Sequence, residues 1–158
     1  MAAQPRARDS NVNDPRHNKS ATVELLDRVW SQGDIAAADS LIASRYTVFH
    51  DPGDPWDGQM LDRSGFRERV RLSRAPFPDQ RFEVQQLVAE DRSVAVAWKW
   101  SATHFGEIPG FPPSGRTITM SGLTLYSFED GLITGHWQCA DRLGVYSQLR
   151  HAARPSHE

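Results

Sequence analysis

An alternation of apolar with small or polar residues between Val94 and Ser101 is the feature that most limits how this chain folds. The apolar positions are Val94, Val96, Trp98 and Trp100. Because successive side chains of a strand point to opposite faces, a period of two predicts a β-strand with one buried face. Two more strand-like segments follow at 116–128 and 132–141, joined by an Asp-Gly pair. The C-terminal half is therefore expected to be an antiparallel meander.

The N-terminal half has helical patterns instead. A helix is predicted over 22–32 and a second over 34–42, and Asp62 or Ser64 is able to cap a third. A short strand is predicted at 46–50, followed by a loop rich in Pro, Gly and Asp. Three helices followed by long antiparallel strands indicate the α+β class.

Length and charge limit the organisation and the partners of the chain. The 158 residues suit one domain, predicted at 20–150, with a disordered polar arm at 1–19 and a flexible tail at 151–158. A net charge of -2 gives no attraction to nucleic acid or to anionic membranes. No apolar run approaches the roughly 20 residues of a membrane helix. A single cysteine, Cys139, favours a reducing, cytoplasmic setting.

The register of the last hairpin decides which side chains share a face with Asp141. A two-residue Asp130-Gly131 turn would pair Phe128 with Ile133, whereas a three-residue turn would pair Phe128 with Leu132. The three-residue turn is favoured here. It places one set of side chains toward the expected pocket: Ser121, Leu123, Leu125, Ser127, Ile133, Trp137, Cys139 and Asp141.

Asp141 and His104 are the candidates for catalysis. Asp141 ends an apolar strand, where burial would raise its pKa and suit it to proton transfer with a carbon acid. Its alternative role is to cap the turn at Leu143. His104 has the parity of Trp98 and Trp100 and is able to hydrogen-bond a substrate carbonyl, or else to fix the loop that follows it.

Other residues have weaker signals. His50 shares parity with Val48 and is expected to point inward, or to anchor the adjacent loop. Because His136 is five residues from Asp141, the two should face opposite ways, and His136 is predicted to point outward. The indoles of Trp30, Trp98, Trp100 and Trp137 are ordinary core residues or a surface for a flat, ring-bearing ligand. No ligand spacing favours a metal site.

Several motifs together resemble the SnoaL-like polyketide cyclases of the nuclear-transport-factor-like superfamily. They are the segments 75–79, 103–107, 112–116 and 137–141, within a match over roughly 22–149. The resemblance implies a cone-shaped, curved antiparallel sheet around a cavity that helices close. It also implies ring closure of a polyketide by aldol condensation without a metal or cofactor, with the acid/base aspartate at Asp141. The anthracycline cyclases, however, have a pocket His where this chain has Ser127, and a Tyr where it has Trp30.

The function expected on this basis is cofactor-free lyase or isomerase chemistry on a carbonyl-bearing small molecule. Asp141 would remove a proton, His104 and His50 are candidates to stabilise the oxyanion, and Leu123 with the Trp residues would hold the rings. A non-catalytic binding domain is one alternative. Another is a hydrolase similar to limonene epoxide hydrolase, although the Asp-Arg-Asp constellation of that class is not evident in the sequence.

The other face of the last hairpin is expected to be an interface between two copies of the chain. On the favoured register it carries Met120, Thr124, Tyr126, Phe128, Thr134, His136 and Gln138. No predicted helix remains to cover these side chains, and exposed apolar patches of this kind commonly mark protein interfaces. A homodimer is therefore predicted, as in related cyclases.

Overall fold

The computed structural model describes residues 14–152. Its α-helices are α1 (Pro15–Glu24), α2 (Ala38–Leu41), α3 (Arg63–Arg74) and α4 (Arg142–Ala152). A π-helical segment (Leu25–Ser31) continues α1, and a 3₁₀ turn (Ile35–Ala37) leads into α2. The strands are β1 (Ile42–His50), β2 (Met60–Asp62), β3 (Arg81–Glu90), β4 (Ser93–Thr103), β5 (Thr117–Glu129) and β6 (Leu132–Ala140).

Aspartate side chains start the N-terminal helices. Asp34 accepts a hydrogen bond from the backbone N–H of Ala37 at 3.3 Å, and Asp62 accepts one from Gly65 at 2.7 Å. Both caps satisfy amides that a helix leaves unpaired at its start, as the sequence predicted. Asp14 caps α1 in the same way, so the disorder predicted for 15–19 is wrong. The rest of the predicted arm, 1–13, and the end of the tail, 153–158, lie outside the described residues.

The strands form one curved, open sheet in the order β2-β1-β6-β5-β4-β3. This arrangement confirms the predicted α+β class. The β1–β6 pair is parallel, whereas the other pairs are antiparallel. The sequence prediction had a purely antiparallel sheet, since β1 and β6 are distant in sequence and no hairpin signal relates them.

The concave face of the sheet carries the core. Val94, Val96, Trp98 and Trp100 of β4 are all buried, as predicted. Trp98 lies opposite Gly122 of β5, and a Cβ at Gly122 would lie 2.4 Å from the Trp98 ring. Glycine is therefore required beneath this indole. Since Trp98 points inward, the even-numbered residues of β5 do too.

The β5–β6 hairpin differs from its predicted register. Asp130 and Gly131 have φ angles of 49° and 76° and form a two-residue turn that pairs Phe128 with Ile133. Positive φ at both positions is typical of the type I′ hairpin turn. The three-residue turn is therefore wrong and its alternative correct. The next pair is Ser127 with Gly135, so Thr134 has no partner on β5 and forms a β-bulge.

Apart from Ile133, which is buried on the inner face as predicted, the two faces of this hairpin are also reversed relative to the prediction. Beyond the bulge, Leu123 and Leu125 do share a face with Trp137 and Cys139, but that face is the outer one. Leu123 is 61% exposed and Trp137 52%. The inner face carries the side chains that were expected outside: Met120, Thr124, Tyr126, Phe128, His136 and Gln138.

Candidate active site

A cavity of about 420 Å³ lies between the concave face of the sheet and the helices. Most of its wall is apolar, and these side chains are Leu26, Trp30, Phe77, Phe82, Trp98, Trp100, Ile108, Phe111, Met120, Val145, Tyr146 and Leu149. Its principal polar side chains are Tyr46, Asp54, Arg69, Gln80, Tyr126, His136, Gln138 and Arg142. A large apolar pocket with a few convergent polar groups is typical of a small-molecule site.

Two of the three indole N–H groups of the cavity wall have hydrogen-bond partners within the protein. Trp98 Nε1 donates to Thr124 Oγ1 at 2.8 Å, and Trp100 Nε1 donates to Gln80 Oε1 at 3.2 Å. The rings of Phe82 and Trp98 meet edge to face, with centroids 5.1 Å apart. These contacts fix the ring orientations, so that the wall offers a rigid aromatic surface.

A hydrogen-bonded chain of three ionisable side chains starts in one wall of the cavity, where Tyr46 and His136 lie, and ends at the buried Asp51. The Tyr46 hydroxyl lies 2.6 Å from His136 Nδ1, and His136 Nε2 lies 3.4 Å from Asp51 Oδ2. An ionised Asp51 only accepts, so the proton of His136 belongs on Nε2. His136 Nδ1 is then the acceptor for the Tyr46 O–H. The chain is therefore directed from tyrosine through histidine to aspartate.

Asp51 is fully buried and is held by four donors. Arg142 Nη2 reaches Oδ1 at 2.6 Å, while Gln138 Nε2 at 3.1 Å and Arg69 Nη2 at 3.3 Å reach Oδ2 together with His136. Burial by itself would raise the pKa of Asp51. The hydrogen bond from His136 and the positive charges of Arg142 and Arg69 outweigh burial and lower the pKa to about 2. Asp51 is therefore a carboxylate at neutral pH.

Burial shifts the other two members of the chain toward their neutral forms. The pKa of His136 is lowered from its usual value by loss of solvation, against the opposing hydrogen bond to Asp51. Burial also raises the pKa of Tyr46 well above its usual value. At neutral pH the chain is therefore a neutral phenol, a neutral imidazole and a carboxylate, an arrangement in which His136 is able to accept a proton.

A second group of contacts fixes Asp51 and its neighbours. Arg69 Nη2 also binds Asp54 at 2.9 Å, so one buried guanidinium joins two carboxylates. Gln138 accepts a hydrogen bond from Thr124 Oγ1 at 2.7 Å while it donates to Asp51. The charges of the two arginines and two aspartates balance, which makes their burial tolerable.

A family model of SnoaL-like polyketide cyclases matches residues 20–149. The chain belongs to the SnoaL-like polyketide cyclase family. The resemblance seen in the sequence motifs is thereby confirmed. Among curated proteins, none matches the chain significantly.

Solved structures agree with membership of this SnoaL-like family. A candidate polyketide cyclase from Acidithiobacillus ferrooxidans is 50% identical, with a TM-score of 0.84, over 93% of this chain and 100% of that one. IdmH, a candidate polyketide cyclase from Streptomyces antibioticus, is 28% identical with a TM-score of 0.72, over 84% and 98%. AclR, a candidate hydroxylase from Streptomyces galilaeus, shares the fold at 20% identity and a TM-score of 0.73, over 87% and 98%.

The structure does not place Asp141 in the cavity. Its side chain is exposed, and its Oδ1 accepts a hydrogen bond from Gly144 N–H at 2.8 Å, which caps α4. The expectation that Asp141 is buried in the pocket is therefore wrong. The odd spacing does place Asp141 and His136 on opposite faces of the strand, as predicted. However, His136 lies on the inner face, so Asp141 is on the outer one. The capping alternative considered from sequence describes this geometry.

His104 is buried but is not among the residues that line the cavity. Its Nδ1 lies 3.1 Å from Ser114 Oγ, its backbone pairs with Arg116 and Gly115, and its ring packs against Phe77. His104 thus anchors the loop between β4 and β5, and the expectation that it shares the cavity is wrong. His104 does point inward, as its parity with Trp98 and Trp100 predicts, but its side chain does not line the cavity.

The predicted substrate-binding residues divide between the two faces of the sheet. Trp30, Trp98 and Trp100 line the cavity. Four others do not, because they occupy the outer face of the sheet or its margin: His50, Leu123, Ser127 and Trp137. His50 stacks on Trp137 there, with ring centroids 4.2 Å apart. The expected inward orientation of Leu123, Ser127 and Trp137 followed from the predicted hairpin register and is wrong because the hairpin faces are reversed. His50 was expected inward from its parity with Val48, and a register shift between Val48 and His50 breaks that parity.

Sequence reasoning missed the residues at the centre of the polar wall. Tyr46 was treated as a strand residue without a role, Asp51 as part of a loop, and His136 as an outward residue. One signal was available in β5, whose even positions include Ile118, Tyr126 and Phe128, whereas its odd positions include two serines. That pattern would have predicted that the even positions of β5 face the core, and with them His136 of β6.

Two kinds of feature are absent from the described residues. Within residues 14–152, no three His, Cys, Asp or Glu side chains are grouped to hold a metal ion. None of the helices in this range is long and apolar enough to cross a membrane.

Proposed function

We propose that this cavity performs cofactor-free proton transfer on a carbonyl-bearing, ring-like small molecule, leading to an aldol-type cyclisation or an isomerisation. The observation that supports the proposal is the Tyr46–His136–Asp51 chain, of which Tyr46 and His136 line an aromatic cavity. The rings of Trp30, Trp98 and Trp100 would stack on the flat parts of the substrate. A polyketide-like substrate suits both the family and these walls.

The proposed step moves one proton along the chain. A C–H proton beside the substrate carbonyl passes to Tyr46 Oη while the Tyr46 proton passes to His136 Nδ1. The C–H electron pair forms the enolate, and Asp51 stabilises the imidazolium that results. In a cyclisation, the enolate carbon then forms a C–C bond to a second carbonyl carbon. The new alkoxide takes the proton back through Tyr46, which restores the neutral chain.

The contacts of Arg69 with Asp51 and Asp54 resemble the Asp-Arg-Asp arrangement that the hydrolase alternative requires. An epoxide-opening site of this type needs one carboxyl group able to donate a proton. Neither carboxyl group suits that role. Both oxygens of Asp51 accept hydrogen bonds and its pKa is lowered to about 2. Both oxygens of Asp54 also accept hydrogen bonds, one from Arg69 and one from the backbone N–H of Trp56. Proton transfer through His136 is therefore preferred. A binding domain without catalysis is the outcome that the following experiment distinguishes.

The test uses β-tetralone, a small ring ketone with acidic protons next to its carbonyl. In deuterium oxide, the protein should speed the loss of the α-proton signals from the NMR spectrum of β-tetralone beyond the rate in buffer. Nitrobenzene, which lacks such protons but should enter the same cavity, should slow this exchange when added in excess. Exchange at the buffer rate, despite demonstrable binding of β-tetralone, would favour the binding domain.

Asp141 provides a second prediction, because the family resemblance and the structure assign it different roles. Asp141→Ala removes the cap of α4 and should lower the free energy of unfolding by about 1 kcal/mol. Asp141→Asn keeps a capping oxygen, so it should retain both stability and β-tetralone exchange. Urea unfolding and the exchange assay measure the two effects. An exchange-dead Asp141→Asn variant with normal stability would return the acid/base role to Asp141.

We also propose that the chain forms a homodimer through its outer-face patch, which consists of Phe49, Leu123, Leu125 and Trp137. These side chains are between 45% and 61% exposed and adjoin one another on β1, β5 and β6. A dimer is thus still predicted, but its interface is now placed on the opposite face of the sheet from the one expected from the sequence. An apolar cluster of this kind commonly marks an interface.

Light scattering at micromolar concentration should report the mass of a dimer. Leu123→Lys places a charge within the outer-face patch and should weaken association by at least about 30-fold, as for a hot-spot residue. Leu143→Lys is the matched control, since Leu143 is 75% exposed and lies on α4 outside the patch. A monomeric wild type, or equal weakening by both variants, would exclude this interface.

A further inference from the structure

The Tyr126 hydroxyl is a hydrogen-bond donor in the cavity wall that has no partner among the described residues. Tyr126 of β5 pairs directly with His136 of β6, and both side chains line the cavity with ring centroids 6.1 Å apart. The Tyr126 side chain is only 4% exposed. Within residues 14–152, its hydroxyl makes no hydrogen bond, and it is not among the polar atoms sealed off from the cavity.

Two other donors of this wall have partners within the protein, whereas the Nε atoms of Arg69 and Arg142 have none among the described residues. The Tyr46 hydroxyl donates to His136, and the Trp98 indole donates to Thr124. Since the Tyr126 hydroxyl opens onto the cavity, it is available to donate a hydrogen bond to an acceptor atom of a ligand bound there. The position of the hydroxyl therefore indicates where an oxygen atom of the ligand lies.

Tyr126 stays a neutral donor beside a charge-balanced cluster. Burial raises the pKa of Tyr126, the nearby Arg69 guanidinium opposes that rise and the Asp51 carboxylate adds to it, so Tyr126 remains protonated at neutral pH. Arg69 is buried, lines the same cavity and is bound to Asp51 and Asp54. A fixed O–H donor of this kind is suited to stabilise negative charge that develops on a substrate oxygen.

We propose that Tyr126 donates a hydrogen bond to the enolate oxygen of the substrate, so that the cavity contains an oxyanion subsite for enolisable ring ketones and for phenolates. Its catalytic part rests on the proposed function, because the enolate forms only if the Tyr46–His136–Asp51 chain removes a proton. Tyr126 faces the oxygen of the substrate, whereas Tyr46 faces the carbon that loses the proton. Phenolate binding, in contrast, requires no reaction.

The binding test compares para-nitrophenolate with nitrobenzene, which has the same ring and nitro group but no oxyanion. Each affinity is measured by quenching of tryptophan fluorescence at a pH where the phenol is ionised. Wild type should prefer the phenolate. Tyr126→Phe should weaken phenolate binding by about 10- to 100-fold, the value of one hydrogen bond to a charged group, and leave nitrobenzene binding unchanged. The unchanged nitrobenzene affinity shows that the variant is folded with an intact cavity.

Two results would overturn the oxyanion subsite. The first is a wild type that shows no preference for the phenolate, and the second is a Tyr126→Phe variant that keeps that preference. The β-tetralone assay then separates this inference from the proposed function. Exchange in wild type that Tyr126→Phe does not slow contradicts the subsite alone. Absent exchange, with a phenolate preference that depends on Tyr126, contradicts the proposed reaction alone.

Discussion

Replacing His136 by glutamine is expected to lower β-tetralone exchange by about 10²- to 10⁴-fold, the usual contribution of a positioned acid–base group. Glutamine retains a donor toward Asp51 and an acceptor toward Tyr46, but it does not take up a proton. Tyr46→Phe interrupts the same chain at its first atom and should cause a similar loss. Because the two residues act as a unit, the double variant should be no slower than the slower single variant.

Nitrobenzene binding and thermal unfolding are the controls for these variants, since both should change little if only proton transfer is lost. The pH dependence gives a further check. Wild-type exchange requires neutral His136, so its rate should fall as the pH falls through the lowered pKa of that residue, below 6.5. Additive effects of the two substitutions, or a rate that rises toward acid pH, would contradict a relay through His136.

Asp51→Ala should be the most destabilising substitution in the site, with a loss of about 3–5 kcal/mol in the free energy of unfolding. Removing this carboxylate leaves Arg69 buried beside Asp54 alone and deprives His136 and Gln138 of their acceptor. Urea unfolding followed by tryptophan fluorescence, at one fixed protein concentration, measures the change. Asp51→Asn keeps the shape of the side chain and should lose less.

Asp39→Ala is the matched control for Asp51. Asp39 accepts from Arg67 at 2.9 Å in an ion pair whose two side chains are both more than 40% exposed. An exposed pair of this kind contributes about 0–1 kcal/mol, so its removal should be nearly neutral. If Asp51→Ala and Asp39→Ala had equal effects, the buried carboxylate would not hold this wall together.

Local patterns in the sequence predict much of the fold. The caps at Asp34 and Asp62 and the inward Trp98 and Trp100 depend on short-range rules, namely unpaired amides at helix starts and the period of two in strands. These features need no knowledge of distant contacts. They also place Trp30, Trp98 and Trp100 in the core that surrounds the cavity.

The polar wall depends instead on pairings that no short pattern contains. The connection from His104 to Arg116 is too long to set the register of β4 against β5, so the inner face of β5 stayed undetermined. The bulge at Thr134 then shifted β6 as well. Asp51 meets His136 and Arg142 only through the fold, across 85 and 91 residues of sequence. Burial and charge at that meeting point therefore could not be foreseen.

Nitrogen NMR of His136 tests the relay most directly, because it reports both the charge of the imidazole and the nitrogen that holds its proton. The signal is assigned by comparison with His136→Gln. At about pH 7 the relay requires a neutral ring with its proton on Nε2, directed at Asp51, and a ring that remains neutral when the pH is lowered past the usual histidine value near 6.5. An imidazolium at neutral pH, or a proton on Nδ1, would leave no acceptor for the Tyr46 proton and would contradict the relay.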